Sequence, residues 1–291
     1  MAVIVNTNVD SIKIQNCLTT SLGKMSTSMQ RMSTGLKVNS AKDDAAGTVI
    51  SARMKVQLDG SKIAQNNIQN GNAMLSTIEG NLDVVEDNLS RIRDLTLQAK
   101  NGTYSVDEIQ AMQDEVAERI AEINRISESS KYSDLTVFED ATLSANGVTF
   151  QVGPNADEYN TIKASNKIFE SVQFSAVTGL DADFCLLDDP DNPTKPLTQD
   201  EYKAAIEKLD EGLDNITRRK SLIGSAQNRL DSAYETLTIQ YENLSSAKSI
   251  ITDADIASEA SNFTQQQILQ QVSTSLLAQA NQAPSIALSL V

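Results

Sequence analysis

The longest regular pattern in the sequence runs from Tyr202 to Ile251. Alternating steps of four and three land on Tyr202, Ile206, Leu209, Leu213, Ile216, Lys220, Ile223, Gln227, Leu230, Tyr234, Leu237, Tyr241, Leu244, Lys248 and Ile251. All but Lys220, Gln227 and Lys248 are apolar or aromatic, and no Pro interrupts them. A 3.5-residue spacing held this long marks a coiled-coil seam, because an ordinary surface helix drifts away from it. At the α-helical rise the stretch extends about 75 Å. A compact globule of this length has a radius of gyration of about 19 Å. The pattern therefore predicts an elongated rod, and the seam needs a mate.

The best mate is Ala64, Ile68, Gly71, Leu75, Ile78, Leu82, Val85, Leu89, Ile92, Thr96 and Ala99, which keep the same spacing up to Asn101-Gly102, read as a left-handed helix stop. A shorter helix follows. Ser105 is its N-cap with Glu108 three positions on, a capping box, and its apolar face is Ile109, Met112, Val116, Ile120 and Ile123. A short turn between the two makes them antiparallel.

Near the start, Leu18, Leu22, Met25, Met29, Met32 and Leu36 form a second seam on a helix whose other faces are mostly Ser, Thr, Gln and Asn. So little charge predicts packing on both sides in the working state. Gly35 and Asn39-Ser40 break this helix, and Asp43-Asp44 read as first-turn acids of the next. From Ala260 to Val291 no side chain is charged, yet Ile268, Leu269, Val272, Leu276, Leu277 and Ala280 recur at helical intervals as far as Pro284. Such a segment is loose alone and buried among copies of itself.

Residues 136–200 differ in kind. Val148-Thr149-Phe150-Gln151-Val152 alternates like a strand, and so do Val172, Phe174 and Ala176, which suggests one or two hairpins. Asp188, Asp189, Pro190, Asp191, Pro193 and Pro196 read as an exposed acidic loop. The fold class is therefore mainly α: an elongated antiparallel coiled-coil or helical-bundle rod with a small β-hairpin patch, plus a terminal helix pair. Residues 1–35 and 256–291 supply the terminal helices, 36–45 and 252–255 are connectors, and 46–135 with 201–251 form the rod.

Charge sharpens this division. The 291 residues carry a net −15. Residues 1–60 are net +3 and residues 252–291 net −3, so the acidic excess sits in 61–251. An acidic rod argues against nucleic acid as partner. No apolar run is long enough for a membrane span, and Met1–Val5 lacks the basic lead-in of a general secretory signal. Cys17 and Cys185 stand in unlike segments and predict neither a structural disulfide nor a metal site.

Candidate chemistry is sparse. There is no His anywhere in the sequence, which removes imidazole bases and imidazole metal ligands. The Ser-x-x-Lys pairs Ser21/Lys24 and Ser245/Lys248 read as ordinary polar residues facing water on helices, and the acidic loop lacks the ligand spacing of a Ca²⁺ site. No catalytic, cofactor or metal residue is assigned. Lys220, Gln227 and Lys248 read as long stems snorkelling from a wide multi-helix core, with control of helix register as the alternative.

Several long runs resemble bacterial flagellin. They are Thr34 to Gly47, Leu95-Thr96-Leu97-Gln98-Ala99 with the turn Asn101-Gly102-Thr103, Gly224 to Leu230, Gln267 to Gln271, and Ser275 to Gln282. The resemblance covers roughly 1–155 and 200–291 and implies a short form without large outer domains. It further implies a subunit exported unfolded through the flagellar type III apparatus, with partners in an export chaperone, the filament cap and hook-junction proteins, and homopolymerisation into a filament for motility.

On this basis Leu18, Leu22, Met25, Met29, Met32, Leu269, Val272, Leu276 and Leu277 are the inner-tube assembly residues. Leu75, Ile78, Leu82, Val85, Leu89, Ile92, Leu209, Leu213, Ile216, Leu230, Leu237 and Leu244 line the rod seam. The family's Toll-like receptor 5 patch maps onto Arg91, Leu95 and Glu115, with Ser90 and Asp94 departing from the family's Gln and Glu. A hook–filament junction protein and a secreted ligand acting on an innate immune receptor as a monomer are the alternative readings.

Overall fold

The computed structural model describes residues 7–187 and 195–288, with side groups described as far as Gln282. The acidic stretch Asp188–Asp191 lies outside the described residues. The fold is mainly helical: α1 (Val9–Thr34), α2 (Ala45–Ala99), α3 (Val106–Ser129), α4 (Ala141–Asn146), α5 (Phe174–Thr178), α6 (Gln199–Thr252) and α7 (Ile256–Leu288). Two small antiparallel strand pairs join them, β1 (Lys131–Tyr132) with β2 (Leu135–Thr136), and β3 (Thr149–Gln151) with β4 (Thr161–Lys163). The molecule divides into residues 59–240 and a second unit made of 1–58 and 241–291.

In residues 59–240 the heptad positions of α2 are sealed. Leu75, Ile78, Leu82, Val85, Leu89 and Ile92 are fully buried, as are Ile109, Val116 and Ile123 of α3 and Leu209, Ile216, Ile223 and Leu230 of α6. Each such residue stabilises the bundle by about 1.5–3 kcal/mol relative to exposure. The capping box at the start of α3 forms as the sequence predicts: the Ser105 hydroxyl accepts from the Glu108 amide, and Glu108 accepts from the Ser105 amide at 2.7 Å. At the start of α6, Glu201 likewise accepts from the Thr198 amide, at 2.7 Å.

A ladder of polar contacts fixes the antiparallel register of α2 on α6. Gln65 donates to the Thr238 hydroxyl, Asn72 to Asp231 at 2.7 Å and Gln227 to the Ser76 hydroxyl, while Arg93 pairs with Asp210. Lys220 reaches Asp83 at 2.6 Å and Glu86 at 2.7 Å. Lys220 and Gln227 are thus not snorkelling stems, because α2 presents acceptors within their reach. The two carboxylates hold the Lys220 ammonium protonated well above its ordinary range.

The second row of α6 differs from the expected one. Leu213 and Tyr234 are half-buried, while Ala205, Gly212, Arg219 and Ala226, one residue earlier in the heptad, are deeper. The reason is a third neighbour, the segment between α3 and α6. A Cβ on Gly212 would lie 2.9 Å from Thr178 Cγ2, so the glycine lets α5 approach closely here. Arg219 donates to the carbonyls of Glu170 at 2.8 Å and Ser171 at 3.2 Å, pinning that segment to the bundle. Five of the six phenylalanines cluster in the segment, at 138, 150, 169, 174 and 184, all buried.

Three local expectations change. Residues Val172 to Ala176 alternate yet form no strand; Phe174–Thr178 is a single helical turn, and β3 pairs instead with Thr161–Lys163. Asn101-Gly102 is not a left-handed stop, since neither residue has positive φ. There α2 tightens, with the Asn101 amide donating to Gln98 O. Asp44 is not a first-turn acid but caps α2, accepting from the Gly47 amide at 2.9 Å, while Asp43 folds back onto the Asn39 and Ser40 amides.

Candidate assembly surface

In the second unit α1 and α7 pack against each other as an antiparallel pair. Besides Arg31, the positions of α1 withdrawn from solvent are Ser11, Ile14, Leu18, Ser21, Met25, Ser28 and Met32, a heptad row in which serines are interspersed among larger residues. Those of α7 are Glu259, Phe263, Gln266, Gln270, Ser273, Leu277 and Ala280. Small and polar residues at a seam allow close approach but bury little apolar area. Polar contacts fasten the pair at its two ends.

At one end Ser28 donates to Glu259 Oε2 at 2.8 Å and Arg31 donates to Oε1 at 3.0 Å. Glu259 is only 8% exposed. The Ser28 hydroxyl and then the Arg31 guanidinium hold its carboxyl below the usual range. At the other end Asn8 caps α1 by accepting from the Ser11 amide, and its Nδ2 donates to Ala280 O at 2.7 Å. That contact bears on why α7 continues past Pro284, where the periodicity predicts an end. A proline has no amide to give the carbonyl four residues earlier, and in α7 that carbonyl is Ala280 O, which Asn8 satisfies.

The two connectors also meet. Gly35, at φ 70°, ends α1, and its carbonyl accepts from the Ala254 amide at 2.9 Å. The Lys37 amide donates to Thr252 O at 2.7 Å, so both reversals of the backbone close on one another.

The large apolar residues of the pair largely face away from this seam. Of the residues assigned to the inner tube, Leu22, Met29 (51%), Leu269, Val272 (48%) and Leu276 are exposed. Leu18, Met25, Met32 and Leu277 are half-buried in the pair. Val9, Ile12, Ile256 and Ile268 (55%) add to the exposed set. So many exposed large apolar side chains on one helix pair are what an association surface offers. The Asn8 and Glu259 anchors were not singled out from sequence. Glu259 as the one charge within α7 was the available signal.

The rod-seam residues fall almost wholly in residues 59–240. Leu237 is buried there, and Leu213 is half-buried; Leu244, also half-buried, belongs to the second unit. Of the three receptor-patch residues, Leu95 is 2% exposed, inside the bundle. Arg91 and Glu115 are bonded to one another, Nε to Oε1 at 2.8 Å and a second nitrogen to Oε2 at 3.0 Å, and Arg119 donates to the same carboxylate at 3.1 Å. The arginines hold the Glu115 carboxyl below its ordinary range.

Among the described residues no helix is long and apolar enough to cross a membrane, and no group of three or more Cys, Asp or Glu residues is placed to hold a metal ion.

Comparison with known proteins accounts for both helical ends together. Residues 5–142 match the bacterial flagellin N-terminal helical region, and residues 206–291 match the bacterial flagellin C-terminal helical region. A flagellin of Xenorhabdus nematophila is 38% identical over the whole of both proteins. The flagellar filament 30.7 kDa core protein of Treponema maltophilum is 32% identical over 96% of each. Among solved structures, a flagellar hook-associated protein from Vibrio parahaemolyticus shares the fold, with a TM-score of 0.57 at 17% identity, covering 72% of this protein and 99% of that one. With both terminal regions matched and full-length relatives above 30% identity, this chain belongs to the bacterial flagellin family.

Proposed function

We propose that this protein is a structural subunit of the extracellular flagellar filament, in which residues 1–35 and 256–291 of many copies pack into the inner tube. The observation that carries this reading is the outward-facing apolar set of α1 and α7, led by Leu22, Met29, Leu269, Val272 and Leu276. Exposing them costs solubility, and covering each fully gains about 1.5–3 kcal/mol. A second copy presenting the same faces is the natural cover. The seam residues of 59–240 hold that bundle together within each subunit. The role is structural rather than enzymatic. Export unfolded through the type III apparatus, with a chaperone, and addition beneath the filament cap above hook-junction proteins follow from the family.

Deleting 256–291 tests this. The truncated protein is expected to stay soluble and helical and to form no filament; normal filaments from it would contradict the reading. Electron microscopy of the full-length protein separates it from a junction protein, which ends growth after one ring.

Recognition by Toll-like receptor 5 is a second reading, supported by the partly exposed Arg91–Glu115 pair, whose two members are 41% and 35% accessible. Leu95 would support that pair from beneath rather than touch the receptor. In a receptor-reporter assay Arg91→Ala should lower the response of monomer while leaving helicity unchanged; an unaltered response removes this reading.

A further inference from the structure

Three Asn-Gly dipeptides occur in the sequence, Asn70-Gly71, Asn101-Gly102 and Asn146-Gly147, and the structure treats them differently. Asn-Gly is the dipeptide in which a backbone amide most easily attacks the preceding carboxamide, because glycine adds no Cβ to obstruct the approach and rotates freely. The attack needs that amide unengaged and the local backbone able to move. Gly71 lies inside α2, where its amide belongs to the helical ladder, and a Cβ there would sit 2.9 Å from the Phe150 ring. Gly147 donates its amide to Leu143 O at 2.8 Å and is wedged beside Ala164 O.

Asn101-Gly102 is different on each count. Both residues are exposed in the turn between α2 and α3, and nothing lies within 4 Å of where a Gly102 Cβ would stand. Among the described residues, neither the Gly102 amide nor the Asn101 carboxamide has a hydrogen-bond partner. The turn is instead held through the Asn101 backbone carbonyl, which accepts from the Thr103 amide at 2.7 Å and the Tyr104 amide at 3.4 Å.

We propose that Asn101 is a site of spontaneous, self-catalysed deamidation, selected by the fold over the two other Asn-Gly pairs. The Gly102 nitrogen attacks Asn101 Cγ, forming an N–C bond and a five-membered succinimide as the Cγ–Nδ2 bond breaks and ammonia leaves. Water then opens the ring at either carbonyl, giving aspartate or isoaspartate at 101. Each event adds one negative charge to the turn, and the isoaspartate product also lengthens the backbone by one carbon. No other reactant is needed, and the proposal does not depend on filament assembly.

The test is peptide mapping by mass spectrometry of the full-length protein aged in neutral buffer, with the three sites read in the same sample. In the folded protein the amide-to-acid shift should accumulate at Asn101 and be near background at Asn70 and Asn146. In the same protein aged in denaturant all three should convert at comparable rates. Gly102→Ala, which meets open space, should abolish the acidic charge isoform of the folded protein without changing its circular dichroism. Equal conversion at all three sites in the folded state, no conversion at Asn101 in the folded state, or an acidic isoform that survives Gly102→Ala would each overturn the proposal.

Discussion

Within residues 59–240 the facing heptad positions hold Leu, Ile and Val; in the α1–α7 pair they hold Ser, Gln and Glu among fewer apolar residues. Among the described residues, every buried hydrophobic core residue except Leu58 lies in 59–240, whereas two-thirds of the large apolar residues left exposed lie in 1–58 and 241–291. The spacing is the same in both regions, so periodicity alone does not say where the apolar area goes. In one region it is used inside the subunit. In the other the seam mixes Ser, Gln and Glu with apolar residues, and many of the large apolar groups stand outside it, where another molecule can cover them.

Truncation at matched positions breaks this comparison most sharply. Leu82→Ala, in the sealed seam, should destabilise the monomer by about 2–5 kcal/mol, read as a lowered midpoint in urea at unchanged slope. Leu276→Ala, on the exposed face of α7, should leave that midpoint nearly unmoved and instead raise the concentration needed for filament growth. If Leu276→Ala unfolds the monomer as badly as Leu82→Ala, the contrast is wrong.

Arg219→Ala comes next. It strips two carbonyls of a charged donor, so a loss of about 1.5–3 kcal/mol is expected, seen as faster amide exchange in 166–178 with α1 and α7 unchanged.

The smaller effects belong to the terminal pair. Glu259→Gln keeps the shape and removes the charge, and should weaken the α1–α7 pairing by about 1 kcal/mol. Its pH dependence has a fixed sign. The Glu259 carboxyl is depressed in the folded state by Ser28 and Arg31, so its contribution is complete above the ordinary carboxylate value of about 4.3 and is lost as pH falls through the lowered folded value. Acid should therefore loosen the wild-type pair more than the Gln variant, as followed by proteolysis of residues 9–34.

Much of 59–240 was legible because α2 keeps one uninterrupted row of large aliphatics, and the Ser105 cap announces the helix that follows. The second row of α6 was not, since Ala205, Gly212 and Ala226 are too small to mark a buried face, and the acceptors that Lys220 and Gln227 reach lie on α2, far away in sequence. Phe174 misled because a five-residue helix spans little more than one period, where alternation and helical spacing cannot be told apart. In the ends the apolar residues were visible, but the seam that pairs α1 with α7 was hidden. Ser21, Ser28, Gln266 and Gln270 read as a solvated face from sequence alone.

Amide hydrogen exchange compared between monomer and filament tests the central claim most directly, because local opening free energy tracks the apolar area that closing buries. The account predicts weak protection of α1 and α7 in the monomer, where the pair closes over little apolar area, and strong protection of both in the filament, with the α2–α6 seam equally protected in each. Protection of α1 and α7 in the isolated monomer matching that in the filament would contradict it.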